Sequence, residues 1–127
     1  MRQFVASIML TNAALFVFGA IQHAGTPIAS FHEPRIIPAA IVESICALSL
    51  VLGAGAMLTR QRRAWVIAVL GNVVALSGVV LGIVALALGA GPRTATNDLY
   101  HRAMLVLIGI ALLSLFLRRR NAGLQRS

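Results

Sequence analysis

Acidic and imidazole side chains are scarce in this chain, and their positions single out the residues able to do chemistry. The 127 residues include three acidic side chains and three histidines. Glu43 lies inside a long apolar run, whereas His23 and His101 lie near the ends of two others. A carboxyl group and an imidazole at hydrogen-bond distance can exchange a proton, so Glu43 and His101 are candidates for a catalytic acid/base pair.

The same side chains could instead bind the polar head of an apolar ligand. Ionisable groups are costly to place in hydrocarbon, so each one inside an apolar run is a candidate site residue. Tyr100 directly precedes His101 and adds a hydroxyl group. We therefore expect a ligand-binding cluster of His23, Glu43, Tyr100 and His101. The plainer alternative is that Glu43 only ties two helices together.

The composition indicates which elements must position this cluster. Hydrophobic residues make up 59% of the chain and charged residues only 11%, whereas roughly a quarter of an ordinary soluble domain is charged. The sequence therefore predicts an integral membrane protein. All eleven basic residues are arginines, and they form short clusters between apolar runs. This distribution argues against a nucleic-acid partner, despite the net charge of +8.

Four apolar stretches meet the length requirement for membrane helices. A hydrocarbon core about 30 Å thick needs roughly 20 apolar residues per helix. The predicted helices span residues 4–22, 36–58, 64–90 and 98–117. They occupy nearly the whole chain, which predicts an all-α protein with a single transmembrane domain, residues 1–127. We expect the four helices to form an antiparallel bundle.

The arginines also indicate the orientation of this bundle, because cytoplasmic loops are enriched in basic residues. If both termini share one side, eight arginines lie there and three lie on the opposite side. The eight are Arg2, Arg60, Arg62, Arg63, Arg118, Arg119, Arg120 and Arg126. Both termini are therefore predicted to be cytoplasmic, in a bacterial-type plasma membrane.

Counting along the helices shows which polar side chains share a depth. At about 1.5 Å per residue, Glu43 and His101 both lie roughly 22 to 24 Å from the cytoplasmic edge. We therefore expect them to come within direct or one-water reach. Asn12 and Asn72 both lie roughly 12 Å deep by the same count. We expect these two asparagines to form a structural hydrogen-bonded pair.

Small residues in the third predicted helix form a seam at helical spacing. The seam contains Gly71, Ala75, Gly78 and Gly82. Small side chains let helix backbones approach closely in lipid. We expect the seam to pack against other helices of the same monomer, and the alternative is a homo-oligomer formed through it.

Two segments in the first half of the chain resemble a known family. Residues 16–20, FVFGA, and residues 41–50, IVESICALSL, are similar to the first two helices of DoxX-like small membrane proteins. The resemblance covers about half of the chain and does not extend to residues 97–102. It implies a four-helix bundle of a kind associated with quinone-linked redox or oxidative-stress complexes.

The sequence leads to one main functional expectation and one alternative. We expect a small membrane protein, surrounded by lipid, that binds a quinone- or lipid-like ligand or acts as a subunit of a membrane redox complex. The alternative is an enzyme that uses Glu43 and His101 on a lipid-soluble substrate. No resident cofactor is predicted, although a quinone is compatible with the cluster. Two lone histidines, His23 and His101, are weak support for haem, and a metal site would need more ligands.

Overall fold

The computed structural model describes residues 2–28, 34–91 and 93–124, and it confirms the all-α prediction. Its helices are α1 (Arg2–His23), α2 (Ile37–Leu58), α3 (Ala64–Ala87) and α4 (Ala95–Leu124). Each of the four contains a stretch long and apolar enough to cross a membrane. His32 and Glu33, in the connection between α1 and α2, lie outside the described residues.

The helices form a ring in which each packs against the next one along the chain, and α4 closes the ring against α1. In this arrangement α2 and α4 occupy opposite corners of the bundle, as do α1 and α3. Near the start of α3, the Trp65 indole N–H donates a 3.1 Å hydrogen bond to the Leu115 carbonyl near the end of α4. The first turn of α3 and the late turns of α4 therefore lie at the same end of the bundle.

That end of the bundle also carries most of the described arginines, and we call it the arginine end. Its members in the described chain include Arg2, Arg60, Arg62, Arg63 and Arg119. The Arg119 guanidinium lies 4.2 Å from the centre of the Trp65 ring, at cation–π distance. Since α4 continues to Leu124, it runs past its apolar part, which was predicted to end at Leu117.

The end of α3 differs from the prediction by three residues, because a glycine stops the helix. Gly89 has a left-handed φ of +77°. Its N–H donates to the Leu86 carbonyl at 3.1 Å, and the Ala90 N–H donates to the Ala85 carbonyl at 2.9 Å. These two bonds form a Schellman motif, which ends α3 at Ala87 rather than at Ala90.

The start of α4 also differs from the prediction, because Thr94 caps the helix. The Thr94 hydroxyl accepts a 3.0 Å hydrogen bond from the backbone N–H of Asn97. A Thr in this position satisfies one of the free N–H groups in the first turn. The helix therefore begins at Ala95 and not at Asp98, which places Tyr100 and His101 in its second turn.

Small residues at the α2–α3 interface allow these two helices to pack closely. A Cβ on Gly71 would lie 2.5 Å from the Ser49 backbone oxygen, and a Cβ on Gly78 would collide with the Cys46 thiol. Ala75 has no exposed surface. Gly71 and Gly78 of the predicted seam therefore pack against α2 of the same chain, whereas Gly82 packs against His101 of α4.

The outer faces of all four helices carry large apolar side chains. Examples are Leu10 on α1, Leu48 on α2, Leu70 on α3 and Leu113 on α4, which are all exposed. The interior is also apolar, with Phe16 and other large side chains fully buried. A bundle that is apolar on both its inner and outer faces is typical of a protein surrounded by lipid.

Candidate functional site

A cavity of about 340 Å³ lies at the end of the bundle opposite the arginine end. Residues from all four helices line it, at the end of α1, the start of α2, the second half of α3 and the start of α4. Its polar lining residues are His23, Glu43, Asn97, Tyr100 and His101. The four residues predicted to contact a ligand are thus brought together around one cavity.

The shortest polar contact in this cluster joins His23 and Glu43. His23 Nδ1 lies 2.8 Å from Glu43 Oε2, and both side chains are more than nine-tenths buried. The backbone holds this geometry, because the Ile36 N–H donates a 2.9 Å hydrogen bond to the His23 carbonyl. That bond ties the start of α2 to the end of α1. The two side chains therefore form a fixed buried pair rather than two mobile groups.

A glycine on α1 makes room for the other carboxyl oxygen of Glu43. A Cβ on Gly19 would lie 2.5 Å from Glu43 Oε1 and 2.8 Å from the Tyr100 hydroxyl oxygen. The Tyr100 hydroxyl donates a 3.3 Å hydrogen bond to the Leu15 carbonyl of α1. The absence of a side chain at Gly19 thus lets polar groups from α2 and α4 meet against α1.

His101 has a different partner and a defined tautomer when it is neutral. Its Nδ1 lies 2.9 Å from the Asn97 carbonyl oxygen, one turn earlier in α4. A carbonyl oxygen only accepts hydrogen bonds, so Nδ1 must carry the hydrogen. Its Nε2 lies against Gly82 of α3, at a place that a Cβ on Gly82 would occupy. Gly82 therefore permits the imidazole to sit at the cavity wall.

Glu43 and His101, predicted to come within direct or one-water reach, line the same cavity and form no direct hydrogen bond with each other. Glu43 bonds to His23, and His101 bonds to its own helix. The equal depth of the two residues is consistent with their shared cavity, but depth does not specify which corner of the bundle each helix occupies. Glu43 Oε2 bonds to His23 of the adjacent α1, whereas α4 reaches the Glu43 carboxyl with the Tyr100 hydroxyl and not with His101.

The predicted bond between Asn12 and Asn72 is also absent. Both residues have no exposed surface, and the Asn72 amide N–H donates to the Ala68 carbonyl of its own helix at 2.8 Å. Within the described residues, neither polar atom of the Asn12 side chain has a hydrogen-bond partner. The two helices that carry these asparagines, α1 and α3, lie at opposite corners of the bundle.

Other charged residues near this end stay outside the cluster. Arg93 Nε donates to both carboxylate oxygens of Asp98, at 3.0 and 2.9 Å, in an exposed ion pair. A smaller cavity of about 180 Å³ lies beside this pair and touches Arg102 and His101.

In the described part of the chain, no three His, Cys, Asp or Glu side chains come together as metal ligands would.

Sequence reasoning missed Asn97 as a lining residue and Gly19 and Gly82 as the residues that make room for polar groups. Asn97 precedes His101 by one helical turn, so the two residues share a face of α4. That spacing could have indicated Asn97 as a further lining residue. Gly82 was noted only as a packing residue, and the role of Gly19 depends on which side chains approach it from neighbouring helices.

Comparison of this chain with protein-family models, with curated proteins and with solved structures finds no match. The resemblance of residues 16–20 and 41–50 to DoxX-like proteins is therefore carried by those residues alone. The geometry of the cavity is the main guide to function.

Proposed function

We propose that this chain is an integral membrane protein whose cavity binds an apolar ligand with a polar head, of the quinone or lipid type. The observation that supports it is the composition of the cavity wall. Apolar residues such as Phe16, Val79 and Leu86 form most of the lining, and a few polar groups converge on it from three helices. Sites for small molecules in proteins commonly combine an apolar wall with a few placed polar groups.

The size of the cavity also suits such a ligand. Its volume of about 340 Å³ lies at the lower end of the range for small-molecule sites, which is about 300 to 1,000 Å³. That space accommodates a ring-sized head and the beginning of a tail. The remainder of a long tail would extend along the apolar outer faces of the helices, where it would contact lipid.

The proposed orientation places this site in the outer half of the membrane. Eight arginines against three favour cytoplasmic termini in a bacterial-type plasma membrane. With that orientation the arginine end faces the cytoplasm, and the cavity lies at the outer end. A ligand dissolved in the outer leaflet could then reach His23 and Glu43 without crossing the bilayer.

Two related roles have different support. The first role is that of a subunit of a membrane redox complex. The resemblance of residues 16–20 and 41–50 to DoxX-like proteins favours it, and it is compatible with the same ligand. The enzymatic alternative depended on a Glu43–His101 acid/base pair. Because those two side chains bond to other partners, we favour binding over catalysis.

Mass spectrometry of the protein purified in mild detergent tests this proposal. We expect a small amphiphile to co-purify with the wild-type protein and to be lost from Ala39→Phe, because Ala39 lines the cavity and a phenyl ring would fill it. Ala103→Phe is the matched control, since Ala103 is exposed on α4 and does not line the cavity. Equal amounts of every co-purified compound in the two variants would contradict a specific site.

A further inference from the structure

The polar groups on the cavity wall differ in whether they are free to bind a ligand. The Glu43 carboxyl faces both the His23 imidazole and the Tyr100 hydroxyl. His101 Nδ1 faces a backbone carbonyl, and its Nε2 lies against the backbone of Gly82. These groups hold the helices together and leave little hydrogen-bonding capacity for a ligand.

Asn97 is different, because its side-chain amide has no hydrogen-bond partner among the described residues. The residue is more than nine-tenths buried, and it lines the cavity. Its backbone is fixed on both sides, since its N–H donates to the Thr94 hydroxyl and its carbonyl accepts from His101 Nδ1. The cavity wall therefore carries a buried, unpartnered amide on a rigid part of α4.

A ligand could supply the partner that this amide lacks. The Asn97 side chain can donate two hydrogen bonds through Nδ2 and accept others through Oδ1. Leaving such a group buried and unbonded is unfavourable. The wall at this end of the cavity is otherwise apolar, with Ile36 and Leu86 close to Gly91. Asn97 is therefore the side chain best placed to bond to a polar head.

The charged groups of the wall restrict the head further. No described arginine lines this cavity, and the Glu43 carboxyl is bonded to His23. A phosphate or carboxylate head would find no free cation there, and an ammonium head no free anion. Burying a charge without a partner is strongly unfavourable. An uncharged head is therefore favoured.

We propose that Asn97 binds the head of the ligand by donating a hydrogen bond from its side-chain amide, and that this head is uncharged and carries an accepting oxygen such as a carbonyl. This inference rests on the proposed function, because it concerns the ligand of the same cavity. It adds a binding residue and a chemical class of head group.

Three probes that share a nonylphenyl tail test both parts of the proposal. 4-Nonylacetophenone carries an uncharged carbonyl, 1-isopropenyl-4-nonylbenzene has a methylene group in place of the carbonyl oxygen, and 4-nonylbenzoate is an anion of similar shape. Binding is measured by titration at mildly alkaline pH into phosphatidylcholine nanodiscs that contain the full-length protein, with empty nanodiscs subtracted. We expect the ketone to bind about tenfold more tightly than the alkene, which corresponds to one hydrogen bond. The benzoate should bind at least about a hundredfold more weakly than the ketone.

Variants then assign the preference to one side chain. Asn97→Leu removes the amide but keeps a side chain of similar size, and it should bring the ketone and the alkene to about equal affinity. Thr96→Leu is the matched control, because Thr96 is exposed on the same turn of α4 and does not line the cavity. It should retain the full preference. Without ligand, Asn97→Leu should melt at a higher temperature than the wild-type protein, because an apolar group replaces an unpartnered buried amide.

Each outcome separates this inference from the proposed function. Equal binding of the ketone and the alkene to the wild-type protein would overturn the contact to an accepting oxygen and leave the binding function standing. Benzoate binding as tight as that of the ketone would overturn the uncharged head. A ketone preference that persists in Asn97→Leu, or a lower melting temperature of that variant without ligand, would overturn the assignment to Asn97. If no probe binds above empty nanodiscs, the proposed function fails and the inference fails with it. The wild-type comparisons decide the class of head group even where a variant does not fold.

Discussion

Gly19 positions functional groups by having no side chain of its own. The Glu43 carboxyl and the Tyr100 hydroxyl fill the space that a Cβ would take. Gly55 of α2 provides the contrast, because a Cβ there would meet no atom within 4 Å. Two helical glycines in one protein therefore have opposite tolerance for alanine.

We expect Gly19→Ala to destabilise the protein and Gly55→Ala to stabilise it slightly. Overpacking costs about 1–3 kcal/mol, whereas glycine to alanine in a helix gains up to about 1 kcal/mol. The net effect of Gly19→Ala should be a loss of up to about 2 kcal/mol, measured by reversible unfolding in mixed micelles. Equal stabilisation by both substitutions would show that the polar cluster does not press against α1.

Substitutions in the buried His23–Glu43 pair should have strongly non-additive effects on the free energy of unfolding. His23→Leu leaves a buried carboxyl without this partner, and we expect a loss of about 3 kcal/mol. The double variant, with leucine at both positions, should recover much of that loss, because neither member of the pair is then left without the other. A double-mutant cycle in the same unfolding assay checks this, and additive losses would mean that the two side chains are not coupled.

At the level of helices, α2 and α3 approach each other through backbone rather than through flexible side chains. A Cβ on Gly71 would lie 2.5 Å from the Ser49 backbone oxygen. Backbone at an interface cannot move aside without separating the helices. This contact therefore fixes the distance between α2 and α3.

Gly71→Ala should consequently force these helices apart and cost about 1–3 kcal/mol. Gly109→Ala on α4 is the control, because a Cβ there meets nothing within 4 Å. Leucine at Gly78 or Gly82 should act in the same direction as Gly71→Ala. Thermal melting with size-exclusion chromatography measures the effect, and unchanged melting of Gly71→Ala would place that face of α3 against lipid.

The helices themselves could be predicted because their apolar stretches are long and uninterrupted, but their boundaries and partners could not. The end of α3 depends on the left-handed conformation of Gly89, and the start of α4 depends on the Thr94 cap. Counting residues placed Glu43 and His101 at one depth, which suits their shared cavity. It could not reveal that His23 is the partner of Glu43, because depth along a helix carries no information on which helices are adjacent.

For the molecule as a whole, the distribution of arginines predicts a definite topology. A cysteine introduced at Gln61 should be protected from a membrane-impermeant thiol reagent in intact cells, whereas one at Thr26 should be labelled. Both residues are exposed in the structure, and the native Cys46 is buried and can be replaced by alanine. Labelling of Gln61→Cys from outside would reverse the proposed orientation and place the cavity in the inner leaflet.

Because α4 has a fixed length, the depth of the cavity in the membrane depends on the thickness of the bilayer. With 30 residues, α4 is about 45 Å long, and roughly 27 Å separates Arg119 from His101 along it. Arg119, stacked on Trp65, would hold the arginine end at the level of the lipid phosphates.

Bilayers differ in thickness by a few ångströms. With one end of the bundle fixed, the whole difference falls at the other end. In a thinner bilayer His101 would stand among hydrated head groups, and in a thicker one it would lie in dry hydrocarbon. Under the proposed function, lipid composition would thereby tune ligand affinity while the protein keeps the same shape.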